Sequence, residues 1–367
     1  MLFELETNFK DCDVNALSGA SIQTIQCLLM AHAKGHHLVT IPRQFCRTLL
    51  ESNVLGRTET VTVKNILSDR QRYSEISRNV ELKFVVYYDA ALMPPDSYQL
   101  NVTLQEIETF SLYEKLKIVF EDLSDSAIYV ALAEAVMQQS PLRKFRTVFA
   151  ISQGGGGRTP DVFKKDILEG GPVLCFVDSD KDTYYSKLGN TARQARAAFN
   201  ENRRKGVVFY LLEAREVENL IPLNCYRTIF TSASESEIIT KLQRVECRDH
   251  TKEKQERFLP YFDFKGKGLT GAKVRAETDQ NARDILFDVW RTISPIEIES
   301  HQDIENGTCL ISRLSENCAR TFERNLNDHR IVKNLRNYID VCVLKEEIDK
   351  VAKLMIDVAL ADRRIRM

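Results

Sequence analysis

None of the nine cysteines stands in a CxxC pair, so the sequence offers no zinc ribbon. No apolar run reaches the length of a membrane span, and no charged-then-apolar leader opens the chain. A cytoplasmic protein with no membrane partner is therefore expected, its cysteines buried as free thiols in a reducing compartment. Without a leader, Asn101-Val-Thr and Asn306-Gly-Thr read as chance matches to glycosylation acceptors. Net charge is also lacking: the formal value is −1. Any hold on nucleic acid must then come from local patches rather than a global field. What remains is an ordinary globular composition, 43% hydrophobic and 28% charged over 367 residues, long enough for two or three domains.

The stretch from Leu116 to Pro222 organises the rest. It holds four short apolar runs rich in Val, Ile, Phe and Tyr, each ending in polar and mostly acidic residues. Each of the first three is followed by a helix-like pattern. Such runs suit strands buried on both faces, and their alternation with helices predicts βαβ units in one parallel sheet. Ligands of such sheets gather outside the carboxyl ends of the strands. Those ends carry Glu121 and Asp125, then Ser152 to Gly157, then Asp178, Asp180 and Asp182, then Glu213, Glu216 and Glu218. A converging set of carboxylates repels itself, and a hard divalent cation, Mg²⁺ or Mn²⁺, removes that conflict.

Each motif also has a plainer reading. Asp125 stands where a helix begins, so it or Ser124 could simply be a cap. Asp178 and Asp180 face the same side if the strand continues through them, a spacing that lets two carboxylates share an ion or an ion pair. The run Gly154 to Gly157, followed by Arg158, lies between a strand and a helix, as a P-loop does. The P-loop pattern needs glycine at 152 and lysine at 158, where the chain has Ser152 and Arg158. The alternatives are a flexible crossover and a backbone nest for a nucleic-acid phosphate. Arg193 and Arg196 share a helix face and could meet phosphate or only solvent.

The order of an apolar strand with Glu121-x-x-x-Asp125, a second strand, and a strand with Asp178-x-Asp180 resembles the TOPRIM domain. That domain occurs in topoisomerases, bacterial primases, recombination mediators and OLD-type nucleases. The family glutamate falls on Glu121 and its DxD on Asp178 and Asp180; Asp122 stands where most members have glycine. Arg215 to Leu220 resembles a later region of OLD-type nucleases and related anti-phage proteins, with Glu218 as its second-metal glutamate. Phe264-Lys265-Gly266-Lys267-Gly268 resembles their lysine region, with Lys267 the preferred match and Lys265 the alternative. The resemblance spans about residues 115–270.

It implies an α/β protein: a central TOPRIM domain, Rossmann-like with a mostly parallel sheet, over 114–270. Outside the resemblance, the residues themselves read as a small N-terminal α/β unit (1–113), a scaffold or partner-binding part, and a C-terminal helical region (271–367). The resemblance implies a metal-dependent nuclease acting on DNA or RNA, an effector of anti-phage defence. Glu121, Asp125, Asp178, Asp180, Glu218 and Lys267 would be catalytic. Two Mg²⁺ or Mn²⁺ ions would sit on the five acids, with Asp182, and Arg158, Arg193 and Arg196 would contact nucleic acid. With no intact P-loop, the ABC-type ATPase that OLD-type enzymes carry or recruit would be a separate partner; a homo-oligomer is the other assembly expected. The competing expectations are a TOPRIM-fold binding or regulatory subunit without catalysis, and a nucleotide binder using the glycine run.

In the flanking units, the residues predict a strand at the N-terminus and a helix from Ser21, its cap, to Gly35. They predict a solvated strand start at His36 and His37, a strand within 80–90, a loop at Pro94-Pro95-Asp96, and helices through 275–293, 312–329 and 343–364. The last arginines, Arg363, Arg364 and Arg366, end a helix favourably or touch nucleic acid.

Overall fold

The computed structural model describes residues 1–94, 100–294, 300–305 and 307–362. Pro95, Asp96, Asn306 and the terminal arginines, on which some expectations fell, lie outside them. The chain begins with β1 (Leu2–Leu5), α1 (Gly19–Ala33), β2 (Leu38–Thr40), α2 (Arg43–Glu51), α3 (Arg57–Ser68) and α4 (Arg70–Asn79). β3 (Phe84–Tyr87), β4 (Leu100–Thr103) and α5 (Leu104–Thr109) follow. The strands form a sheet of order β2-β1-β3-β4 in which every pair is parallel. Helix α1 starts at Gly19, two residues before Ser21, and its cap is Ser18, whose hydroxyl accepts the N–H of Ser21 at 3.1 Å. Gly35 ends it in the left-handed region, φ 66°, and the His36 N–H returns to the Ala31 carbonyl at 2.9 Å.

His37 corrects the expectation of a solvated strand start. It is fully buried, with Nε2 2.6 Å from the Glu114 carbonyl and Nδ1 3.3 Å from the α-amine of Met1.

The next stretch runs β5 (Lys117–Phe120), α6 (Asp125–Gln138), a two-residue β6 (Arg146–Thr147), β7 (Ala150–Gln153), α7 (Thr159–Glu169), β8 (Val173–Val177), α8 (Asn190–Glu201) and β9 (Val207–Leu211), and all its strands but β6 form the second sheet. Its order is β7-β5-β8-β9, again parallel throughout. The chain thus builds the same strand order twice. β8 is buried along its whole length, Cys175 included, as a central strand covered on both faces must be. All nine cysteines are free and six of them are buried.

After β9 come α9 (Leu223–Ile229), α10 (Ala233–Asp249), β10 (Leu269–Thr270), α11 (Gly271–Ala276), α12 (Gln280–Ile293), β11 (Cys309–Ile311), α13 (Cys318–Asn325), α14 (His329–Tyr338), α15 (Lys345–Ala359) and β12 (Leu360–Ala361). α15 buries Ile348, Val351, Ala352, Met355 and Val358, one apolar stripe at helical spacing, and packs along α6. β10 pairs with β11, and β12 with β6, both antiparallel. β12 also brings the chain end to the first unit: Asp362 meets Arg72 at 3.0 Å and the Tyr73 hydroxyl at 3.1 Å. Among the described residues, no helix is long and apolar enough to cross a membrane.

Candidate functional site

β5 and β8 are neighbours, so the residues that follow them meet. The Glu121 carboxylate accepts the Asp178 N–H at 2.9 Å. Asp178 in turn accepts the Val217 N–H at 3.1 Å, which ties the end of β8 to the turn after β9. Asp125, in the first turn of α6, is buried, and its Oδ2 reaches back to the Asp122 N–H at 2.9 Å. That bond is not the helix cap expected of Asp125 or Ser124: Asp122 precedes the helix, and α6 has no side-chain cap hydrogen bond at its N-cap Ser124. Glu216 and Glu218 are buried in the turn beyond β9. The Lys265 ammonium lies 3.2 Å from Glu216 and 3.0 Å from Glu218.

Five carboxyls from three strand ends are therefore gathered at one edge, and two of them, Glu216 and Glu218, pair with the Lys265 ammonium. Burial and repulsion from neighbouring acids favour the protonated forms of Glu121, Asp125, Asp178 and Glu216. Burial, followed by the nearby charge of Asp180, raises Glu121 to about 7 against the pull of the Asp178 N–H. Burial and the charge of Glu218 raise Asp125 to about 7. Glu216 rises to about 8 through burial and Glu218. Asp178 lies well above the carboxylate range, from burial and then Glu121 and Asp125. For Lys265 burial works the other way, but Glu218, Glu216 and Asp178 more than offset it and raise its pKa.

Asn219 sets this geometry from behind. Its Oδ1 accepts the Glu216 N–H at 3.1 Å, and its Nδ2 donates to the carbonyls of Leu259 and Phe262, both at 3.0 Å. The Phe264 N–H then reaches Glu216 at 3.3 Å, and Phe264 stacks on buried Tyr226, whose hydroxyl donates to the Glu218 carbonyl at 2.9 Å. Lys265, next in sequence, is thereby delivered to the acids. Lys267, the expected lysine, is exposed, its backbone N–H bonded to Asp263 at 3.1 Å. The correction follows from the turn, because only the residue directly after Phe264 points at Glu216.

Asp180 departs from the same-side expectation. β8 ends at Val177, and Asp180 is exposed in the left-handed region, φ 54°, beyond the period-two geometry of a strand. Its charge still reaches Glu121. Asp182 stands apart from the five acids, in ion pairs with Arg215 at 2.7 Å and Lys273 at 2.6 Å. Arg158, Arg193 and Arg196 are all exposed. The glycine run wraps the chain's own backbone: Gly155 and Gly156 donate to the Glu121 carbonyl at 2.9 and 3.1 Å, and Gly154 to the Phe120 carbonyl at 2.8 Å. Those three N–H groups are already spent on the chain's own backbone, so this part of the run serves as a close crossover against β5. Glu216 is the site residue that the motifs did not single out. Its signal was the Glu216-x-Glu218 alternation, which an extended Glu216 (φ −147°, ψ 163°) turns toward one side.

Among the described residues, no three His, Cys, Asp or Glu side chains have the mutual spacing of a ready-made metal site. The chemistry of the set nonetheless suits a hard divalent cation. Every donor is a carboxylate oxygen, and Glu218 Oε2 is buried with no hydrogen-bond partner. With every acid ionised, one ammonium faces five carboxylates. The fold is that of an α/β protein with two parallel sheets, compatible with a Rossmann-like pattern. Comparison with known families, curated proteins and solved structures found no match.

Proposed function

We propose that the second sheet is a TOPRIM domain and that the protein is a divalent-metal-dependent nuclease of DNA or RNA. The observation that carries this reading is the gathering of Glu121, Asp125, Asp178, Glu216 and Glu218 at the carboxyl edge of a parallel sheet, with Lys265 paired to the last two. Glu121, Asp178 and Glu218 are also the positions the resemblance singles out. Glu121, Asp125, Asp178 and Glu218, with Glu216, would hold Mg²⁺ or Mn²⁺. A bound divalent ion supplies Lewis-acid stabilisation of charge developing on phosphodiester oxygens. The chain's own contribution is placement. The Asp178 N–H orients Glu121, the Val217 N–H orients Asp178, and Lys265 aligns Glu216 with Glu218. Asp180 stands exposed at the rim.

The role in anti-phage defence, the ABC-type ATPase partner and restraint by that partner come with the resemblance. Co-purification with the products of neighbouring genes tests them. A second reading, a binding or regulatory subunit without catalysis, is favoured by one fact: Lys265 already offsets charge on Glu216 and Glu218. The deciding experiment incubates the protein with plasmid, single-stranded DNA and total tRNA, in Mg²⁺ or Mn²⁺. Asp178→Ala with Glu218→Ala serves as control. Metal-dependent cleavage lost in the double variant supports the nuclease. Cleavage that survives EDTA or the double variant overturns it, and no cleavage together with no thermal shift in metal favours the regulatory subunit.

A further inference from the structure

The carboxyl edge of the first sheet holds a cavity of about 370 Å³ at the ends of β1 and β2. It lies on the side of a parallel sheet where ligands bind, and its volume falls in the range of small-molecule sites. Leu5, Ile41 and Ile66 give it an apolar floor, and all three are buried. Arg70, Tyr73, Ser74 and Ser77, spaced along one face of α4, form a wall. Thr40, at the end of β2, also lines it, and Thr40 Oγ1 is buried with no hydrogen-bond partner.

The charges around this cavity are unbalanced. Its one carboxylate, Glu4, is already matched by Lys83 and by the Ser77 hydroxyl, each at 2.6 Å. Among the described residues, Lys10 makes a single ion pair, at 3.9 Å with exposed Asp11. Arg43 and Arg70 stand exposed at the rim. Among the described residues, neither guanidinium makes an ion pair or a side-chain hydrogen bond. Arg43 also opens α2, whose preceding Pro42 provides no side-chain cap, so the positive helix end faces the same space.

We propose that this cavity binds a phosphorylated small molecule of mononucleotide size. Arg43 and Arg70 take the phosphate, and the apolar floor takes the organic part. Guanidinium groups match phosphate oxygens in pairs, which a solvated lysine does not. The Thr40 hydroxyl, Ser74 and Gln44 supply polar contacts to the remainder. The site is independent of the nuclease reading, because it uses the first sheet and none of the five acids.

The test is isothermal titration of the full chain with AMP, GMP, CMP and UMP in turn, and with inorganic phosphate, all in EDTA so that no divalent ion bridges phosphate to the acids. Thermal melting runs alongside. At least one mononucleotide should bind and raise the melting temperature. Arg43→Ala with Arg70→Ala should weaken that binding by about tenfold or more. Ser74→Trp, which fills the cavity from an exposed position, should abolish it, while Asp178→Ala should leave it unchanged. Three results overturn the proposal: no mononucleotide binding at millimolar concentration, wild-type binding by the double-arginine variant, or inorganic phosphate binding as tightly as the best nucleotide. The arginine variants alter only exposed side chains, so they decide the matter even if Ser74→Trp fails to fold.

Discussion

Lys265→Met is the most informative single change at the acid edge. It removes the ammonium that pairs with Glu216 and Glu218 and keeps most of the side-chain volume. Breaking a buried ion pair costs about 3–5 kcal/mol, because the remaining charge stays buried and unmatched. Two effects reduce that here. The Lys265 side chain keeps 36% of its exposure, so water already screens part of the interaction. Glu216, already pushed up to about 8 by burial and Glu218, can also take up a proton instead of remaining charged. A loss of about 2 kcal/mol is expected, read as a shift in the urea midpoint at constant slope. The change should be nearly silent when Glu216 and Glu218 are both already glutamine, since the partner charges are then gone. Millimolar Mn²⁺ should restore more stability to Lys265→Met than it adds to wild type, because a divalent ion replaces the missing charge. A variant as stable as wild type, or a loss of the same size in the Glu216→Gln, Glu218→Gln background, would refute the electrostatic account of this edge.

Three further outcomes are expected. Gly156→Ala, where a Cβ meets open space but φ is 62°, should cost about 1 kcal/mol, whereas Gly154→Ala should cost more, because its Cβ would sit 2.8 Å from the Phe120 carbonyl; urea unfolding of both variants tests the order. His32, held at about 4 mainly by burial, accepts the Val39 N–H on Nδ1 at 3.0 Å and so carries its proton on Nε2, toward Tyr73 at 3.2 Å. Its folded pKa is below the unfolded value of 6.5, so its contribution is complete above pH 6.5 and is lost as pH falls toward 4, about 3 kcal/mol in all; His32→Gln should flatten that part of the stability profile, and an unchanged profile would remove His32 as its source. Met355→Ala, a fully buried change where α15 meets α6, should cost about 2–5 kcal/mol, and a neutral result by thermal unfolding would mean that the two helices do not depend on each other.

The strands of the second sheet, and β1, β2 and β3 of the first, were legible because each is a short apolar run bounded by polar residues. β4, Leu-Asn-Val-Thr, was not, because it is half polar and follows Pro94-Pro95-Asp96, where the sequence predicts a loop. Glu121, Asp125, Asp178 and Glu218 were legible because each follows a strand or opens the next turn. What could not be read depends on partners distant in sequence. Glu213 and Glu216 look alike in the chain, yet Glu213 pairs with Lys254 and Lys350 while Glu216 turns inward. Choosing Lys265 over Lys267 requires the turn that Asn219 fixes from some forty positions away. Asp180 misled because the DxD spacing presumes a strand that has already ended. His37 misled because its cover comes from the Glu114 carbonyl and the α-amine, which no local pattern reveals.

The pairing of β12 with β6 has a consequence for how the molecule comes apart. Leu360 lies beside Thr147, and Asp362 reaches Arg72, so the final strand is stitched to two segments that were laid down far earlier. β6 lies just ahead of β7, whose last residue leads into the glycine turn on Glu121. The two sheets therefore share a knot of contacts that closes long loops of chain, and such closures form late and slow the search for the native state. Once made, they couple the halves: neither sheet can open without disturbing the other. The expected signature is a single cooperative unfolding transition, with amide exchange in β1 and β8 governed by the same global free energy.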